Sequence, residues 1–138
     1  NITAIEFKGK TNNMLVSKEY LQGKIGSSII VDARDAEVYA GDVIEPYAPK
    51  AGHIETAVSL PTISIWNADG TYKTEEELEE LAFNAIGDDK NKEVIIYCGV
   101  GGYASSWYYI LTDVLKYKNV KIYDGSAQEW VLYNDMVN

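Results

Sequence analysis

Short apolar runs alternate with amphipathic stretches along this chain, and the alternation predicts strands and helices in turn. Ile29-Ile30-Val31 is a β-branched run ending at Asp32, and Ala57-Val58-Ser59-Leu60 is a brief one stopped by Pro61. Val94-Ile95-Ile96-Tyr97 and Val120-Lys121-Ile122-Tyr123 are two more. Runs this short and this apolar suit strands buried on both faces of a parallel sheet. Between them, Leu78, Leu81, Ala82, Ala85 and Ile86 recur at helical spacing, as do Trp107, Ile110, Leu111, Val114 and Leu115. Helix starts are marked by Ser17 before Lys18-Glu19-Tyr20-Leu21, with Val16 as a staple residue, and by Thr74 with Glu77 as a capping box. Ser126 to Glu129 predicts a second capping box before Trp130. Gly87 stops the helix that Thr74 opens, Asp35 to Ala40 reads as one or two helical turns, and Gly41 to Gly52, with Pro46 and Pro49, reads as a long surface loop. Strand and helix in alternation imply an α/β fold, an open parallel sheet with helices on both faces. Ligands of such sheets bind outside the carboxyl ends of the strands, where Asp32 and Cys98 both fall.

Composition narrows the function classes. A chain of 138 residues fits one domain able to bury a core without disulfide or metal. Its net charge of −9 and the lack of a basic patch argue against nucleic acid or an anionic membrane as partner. Apolar runs of a few residues do not span a bilayer. One cysteine excludes an internal disulfide and thioredoxin-like chemistry, and with one histidine it cannot form an ordinary zinc site. The Asn1-Ile2-Thr3 match to a glycosylation acceptor is too short to carry weight. A single thiol leaves the compartment open.

The candidate chemistry sits at Cys98. An apolar strand ends at the thiol, Gly99, Gly101 and Gly102 follow, and a helix pattern begins at once. A glycine-rich turn lets backbone N–H groups converge, and a helix start adds the positive end of its dipole. Both favour a thiolate, which suits a nucleophile. The competing expectation is a small apolar residue closing a core strand, where free cysteines usually lie; the loop favours the nucleophile. Arg34, the only arginine, lies beside Asp32 and is read first as a buried structural pair and second as a donor-holding group. His53 is read as a backbone hydrogen-bonding residue that ends the long loop, and Trp66, Trp107 and Trp130 as packing.

Four segments, in order, resemble one family. Val31-Asp32-Ala33-Arg34, Ala51-Gly52-His53-Ile54, Tyr97-Cys98-Gly99, and Tyr123-Asp124-Gly125-Ser126 with Glu129-Trp130 look like the rhodanese (sulfurtransferase) domain. The stretch Trp66 to Lys73 and the Asp124-Gly125-Ser126 segment are similar to the second, catalytic domain of tandem thiosulfate and 3-mercaptopyruvate sulfurtransferases. The resemblance implies an N-terminal segment over 1–16, a rhodanese domain over 17–138, and a partner rhodanese domain upstream. It implies a Cys98 persulfide that takes sulfur from a small anionic donor and gives it to cyanide or a thiol, with no cofactor. Gly99, Val100, Gly101, Gly102 and Tyr103 would cradle the donor, with Arg34 and Lys50 as the candidate cations. The chain departs from active members in lacking a loop cation: Val100, Gly102 and Tyr103 stand where Lys, Arg, Ser or Thr are common, and Val38 and Tyr47 where donor-binding arginines are placed. Thiosulfate is therefore expected to be a weaker donor than 3-mercaptopyruvate. A binding or regulatory module on the same fold is the alternative. A phosphatase or arsenate reductase on this fold would need an arginine closing the loop, where Ala104 and Ser105 stand.

Overall fold

The computed structural model describes residues 13–138. The Asn1-Ile2-Thr3 match and most of the expected N-terminal segment lie outside the described residues. Five strands, β1 (Leu15–Val16), β2 (Ile29–Asp32), β3 (Ala57–Ser59), β4 (Val94–Tyr97) and β5 (Val120–Tyr123), form one sheet in the order β1-β5-β4-β2-β3. Every pairing is parallel, as the uniformly apolar runs predict. Five helices connect them: α1 (Lys18–Gln22), α2 (Ala36–Tyr39), α3 (Glu75–Ile86), α4 (Gly102–Tyr109) and α5 (Ser126–Tyr133). A 3-10 turn over Thr62–Ile65 follows β3, and a π-turn over Ile110–Val114 continues α4. Among the described residues no helix is long and apolar enough to cross a membrane.

Two cores flank the sheet. Val31, Val94, Ile96 and Cys98 face one core with residues of α3 and α4, among them Leu78, Ala82, Ile86 and the fully buried Trp107. Ile30, Ile95, Tyr97 and Tyr123 face the other with Leu21 of α1 and Ala127, Trp130 and Val131 of α5. The alternation within β4 is the period of a strand, and burial on both sides explains why the run reads as continuously apolar. Cys98 takes the next place in that alternation, so its side chain belongs to the α3–α4 side. Asp32 pairs with Tyr97 across β2 and β4, which brings both loops to the same carboxyl edge.

The caps at Ser17 and Thr74 form as expected. Ser17 Oγ accepts from the Tyr20 N–H, and Thr74 exchanges hydrogen bonds with Glu77 in both directions. Thr74→Ala is expected to cost about 1 kcal/mol, read as a lowered urea midpoint at unchanged slope; an unmoved midpoint would show that α3 is held by its apolar face alone. The capping box expected at Ser126 is absent. α5 starts from Gly125 without a side-chain cap, and Ser126 itself has φ 54. Its hydroxyl donates to the Tyr123 carbonyl and accepts from the Cys98 N–H, while Glu129 accepts from the Tyr123 hydroxyl. Tertiary hydrogen bonds take both groups that the local motif would have used.

Candidate functional site

Cys98 leaves the end of β4 and is 1% exposed. Its sulfur accepts the Gly101 N–H at 3.1 Å. Gly101 has φ 96, a left-handed conformation that glycine adopts without strain, and it is also the cap from which α4 starts. A Cβ here would meet Asp124 Oδ1 at 2.8 Å. Of the expected cradle over residues 99–103, Gly101 is the residue whose N–H reaches the sulfur within hydrogen-bond distance. The other side of the loop is braced by α5. Ala127 N–H donates to the Cys98 carbonyl, Gln128 N–H to the Gly99 carbonyl, and Ser126 Oγ accepts from Cys98 N–H. These contacts satisfy the Cys98 N–H and the Cys98 and Gly99 carbonyls, while the Gly101 N–H faces the sulfur.

A cavity of about 280 Å³ opens over the thiol, lined by Asp35, Glu45, Tyr47, Cys98, Gly99, Val100, Gly102 and Tyr103. Cys98 is therefore both a residue of the core and the wall of a cavity. Val100 and Tyr103 are more than half exposed. Tyr47 lies so close to the loop that a Cβ on Gly99 would come within 2.7 Å of its ring and hydroxyl, so Gly99 is required by close approach. Tyr47 donates to Glu45 at 2.5 Å. Burial raises the Tyr47 phenol well above its usual range, and the Glu45 hydrogen bond and charge push it further.

The two expected cations stand elsewhere. Arg34 is 1% exposed and forks onto Asp32, with Nη2 2.6 Å from Oδ2 and Nε 3.0 Å from Oδ1. Nη2 also donates to the Gly52 carbonyl at 2.7 Å, and Nη1 lies 3.6 Å from Glu45. Tyr97 donates to Asp32 Oδ2 at 2.6 Å and accepts from the Ile54 N–H, completing a buried network that ties the long loop to β2 and β4. Lys50 donates to the Asn134 carbonyl and to Asp135, near the C-terminal segment. Neither cation lines the cavity. Val38 is buried in α2, whereas Tyr47, at the other expected arginine place, does line it. His53 holds the Tyr39 carbonyl through Nδ1 at 3.0 Å and stacks on the Tyr39 ring. Asp35, Glu45 and Ser126 were not among the expected site residues. Asp35 precedes α2 without capping it, and Glu45 comes from a loop with no periodic signal.

This geometry has relatives. A family model described as a rhodanese-like domain matches residues 17–133. A protein from Mycolicibacterium smegmatis named "Putative thiosulfate sulfurtransferase" is 33% identical over 98% of this chain and 50% of its own length. The sulfur carrier protein TtuD of Thermus thermophilus is 34% identical over 83% of this chain and 42% of that protein. Among solved structures, 3-mercaptopyruvate sulfurtransferase from Leishmania major matches with a TM-score of 0.74 at 28% identity, covering 94% of this chain and 36% of that one. The chain spans about half the length of the curated relatives it matches. The parallel sheet, the cysteine loop at its carboxyl edge and a match over most of the sequence agree: the chain belongs to the rhodanese-like domain family.

Proposed function

We propose that this chain moves sulfur through a persulfide on Cys98. The observation that carries the reading is the Cys98 sulfur at a cavity wall, accepting the Gly101 N–H where α4 begins. That N–H and the positive helix end stabilise negative charge on the thiolate and on the persulfide that replaces it, so no general base is needed. The Cys98 thiolate attacks the sulfane sulfur of thiosulfate, the S–S bond breaks, and sulfite leaves with the bonding electrons. With 3-mercaptopyruvate, the C–S bond breaks instead and the carbon takes the proton as pyruvate forms. An acceptor thiolate or cyanide then attacks the outer sulfur and Cys98 leaves as thiolate. The names of the relatives supply these donors, and a second rhodanese domain upstream belongs to the same reading.

A catalytically weak binding module is the second reading, favoured by the lack of a cation among the described residues that line the cavity. Intact mass after incubation with each donor separates the two. The expected result is one added sulfur atom, mapped by peptide mass to Cys98 and removed by an acceptor thiol. A folded chain that gains no sulfur from either donor would support the binding module.

Gly101→Val tests the geometry of the loop. A β-branched residue at φ 96, with its Cβ at 2.8 Å from Asp124, must displace the N–H that faces the sulfur. Strain of this kind costs about 1–3 kcal/mol, a lowered melting temperature that leaves a folded protein. Sulfur uptake is expected to fall further, by about tenfold or more, as when one donor to an anion is lost. Unchanged uptake in the folded variant would show that this N–H does not activate the thiol.

A further inference from the structure

The Cys98 cavity is polarised. Its floor carries the Gly101 N–H and the start of α4, which favour negative charge on sulfur. Its wall carries Asp35 and Glu45, and among the described residues its lining includes no lysine, arginine or histidine. Arg34 lies 3.6 Å from Glu45 but is already matched by Asp32, so this group of four charges sums to an excess of two negatives. Asp35 makes no capping bond to α2. Glu45 Oε2 accepts no hydrogen bond among the described residues and faces only Arg34 Nη1, at 3.6 Å. Beyond Tyr103 a second hollow of about 430 Å³ shares Asp35 and adds Glu37, again without a basic residue among the described ones. A cleft lined by one sign of charge raises the local concentration of the opposite sign and excludes its own.

We infer that Asp35 and Glu45 make the cavity a charge filter for the sulfur chemistry of Cys98. The inference rests on the persulfide reading above and adds its substrate class. The favoured reactant carries sulfur at one end and an ammonium at the other, as an aminothiol or aminothiol persulfide does. Its sulfur meets the Gly101 N–H, and its ammonium lies against the Asp35 and Glu45 carboxylates that line the cavity. In donation, the Cys98 thiolate attacks the outer sulfur of R–S–SH, the S–S bond breaks, and RS⁻ leaves. In acceptance, RS⁻ attacks the outer sulfur of Cys98–S–SH, forming R–S–SH and releasing the Cys98 thiolate. Each step conserves charge and needs no further oxidant or reductant. Dianionic thiosulfate is the worst matched reactant, and monoanionic 3-mercaptopyruvate lies between.

The field is measured without any sulfur transfer by two methanethiosulfonate reagents, one bearing 2-aminoethyl and one 2-sulfonatoethyl. Each forms a disulfide on Cys98 as methanesulfinate leaves. The cation-to-anion rate ratio, divided by the ratio for free 2-mercaptoethanol, is expected to be about tenfold or more at low salt, in the range of charged clefts. It is expected to approach unity near 1 M salt, where screening acts over about 3 Å. Glu45→Gln and Asp35→Asn, close in shape, should each lower it. A normalised ratio near one in the unaltered chain at low salt would overturn the charge filter. In a second arm, persulfide-loaded chain is offered cysteamine and 2-mercaptoethanesulfonate, and cysteamine is expected to unload it faster. Equal or reversed unloading rates, each referred to the rates with a small organic persulfide, would overturn the aminothiol assignment. Sulfur loading with a flat reagent ratio would refute the filter alone, whereas a strong ratio without loading by any donor would refute the persulfide reading.

Discussion

Cys98→Ser is expected to abolish sulfur loading completely, with no added sulfur by intact mass at any donor concentration. A serine hydroxyl at this place is not ionised near neutrality and forms no stable sulfane bond, so no intermediate accumulates. The fold should survive. The replacement is close in size at a residue that lines a cavity, and the Gly101 N–H keeps an oxygen acceptor nearby. A buried hydroxyl with imperfect partners costs about 1–3 kcal/mol, seen as a lower melting temperature with an unchanged far-ultraviolet spectrum. Cys98→Ala gives the same test without the hydroxyl. Residual sulfur transfer by both variants would place the nucleophile outside this chain, because no other cysteine is present.

The central sheet was legible because β2, β4 and β5 are covered on both faces, which leaves short continuous apolar runs in the sequence. Cys98 was legible for a related reason: a thiol followed by glycines and a helix pattern has few backbone solutions. β1 was not legible. Leu15–Val16 is too short to show a period and is a strand only because it pairs with β5. The acidic part of the cavity wall, Asp35 and Glu45, was not legible either. Glu45 and Tyr47 sit in an aperiodic loop whose position is set by distant contacts, the Arg34 bond to Gly52 and the Tyr97 bond to Ile54. Ser126 misled because its spacing to Glu129 matches a local motif, while the fold draws its hydroxyl to the Cys98 and Tyr123 backbone. Local pattern thus marked the candidate nucleophile, and long-range hydrogen bonds determined which residues surround it.

Arg34→Ala is expected to be the most destabilising of the substitutions considered, by about 3–5 kcal/mol. The cost is not the lost attraction alone. Asp32 is 0% exposed and would retain the Arg34 backbone N–H and the Tyr97 hydroxyl but no countercharge. The Gly52 carbonyl would lose its guanidinium donor, and the long loop its tie to β2. Against a typical total of about 5–15 kcal/mol for a domain, such a loss leaves a marginal or unfolded chain at body temperature. Arg34→Lys should not restore it, because a single ammonium cannot reach both Asp32 oxygens and Gly52 in the same fork. The measurement is the urea midpoint of each variant alongside the rate of sulfur uptake by the fraction still folded. If Arg34 braces the loop, stability falls and the folded fraction of the lysine variant keeps a nearly unchanged KM for the donor. A lysine variant of full stability whose KM rises would instead make Arg34 a donor-binding residue, and a loss below about 1 kcal/mol in Arg34→Ala would reduce the pair to the weight of a surface salt bridge.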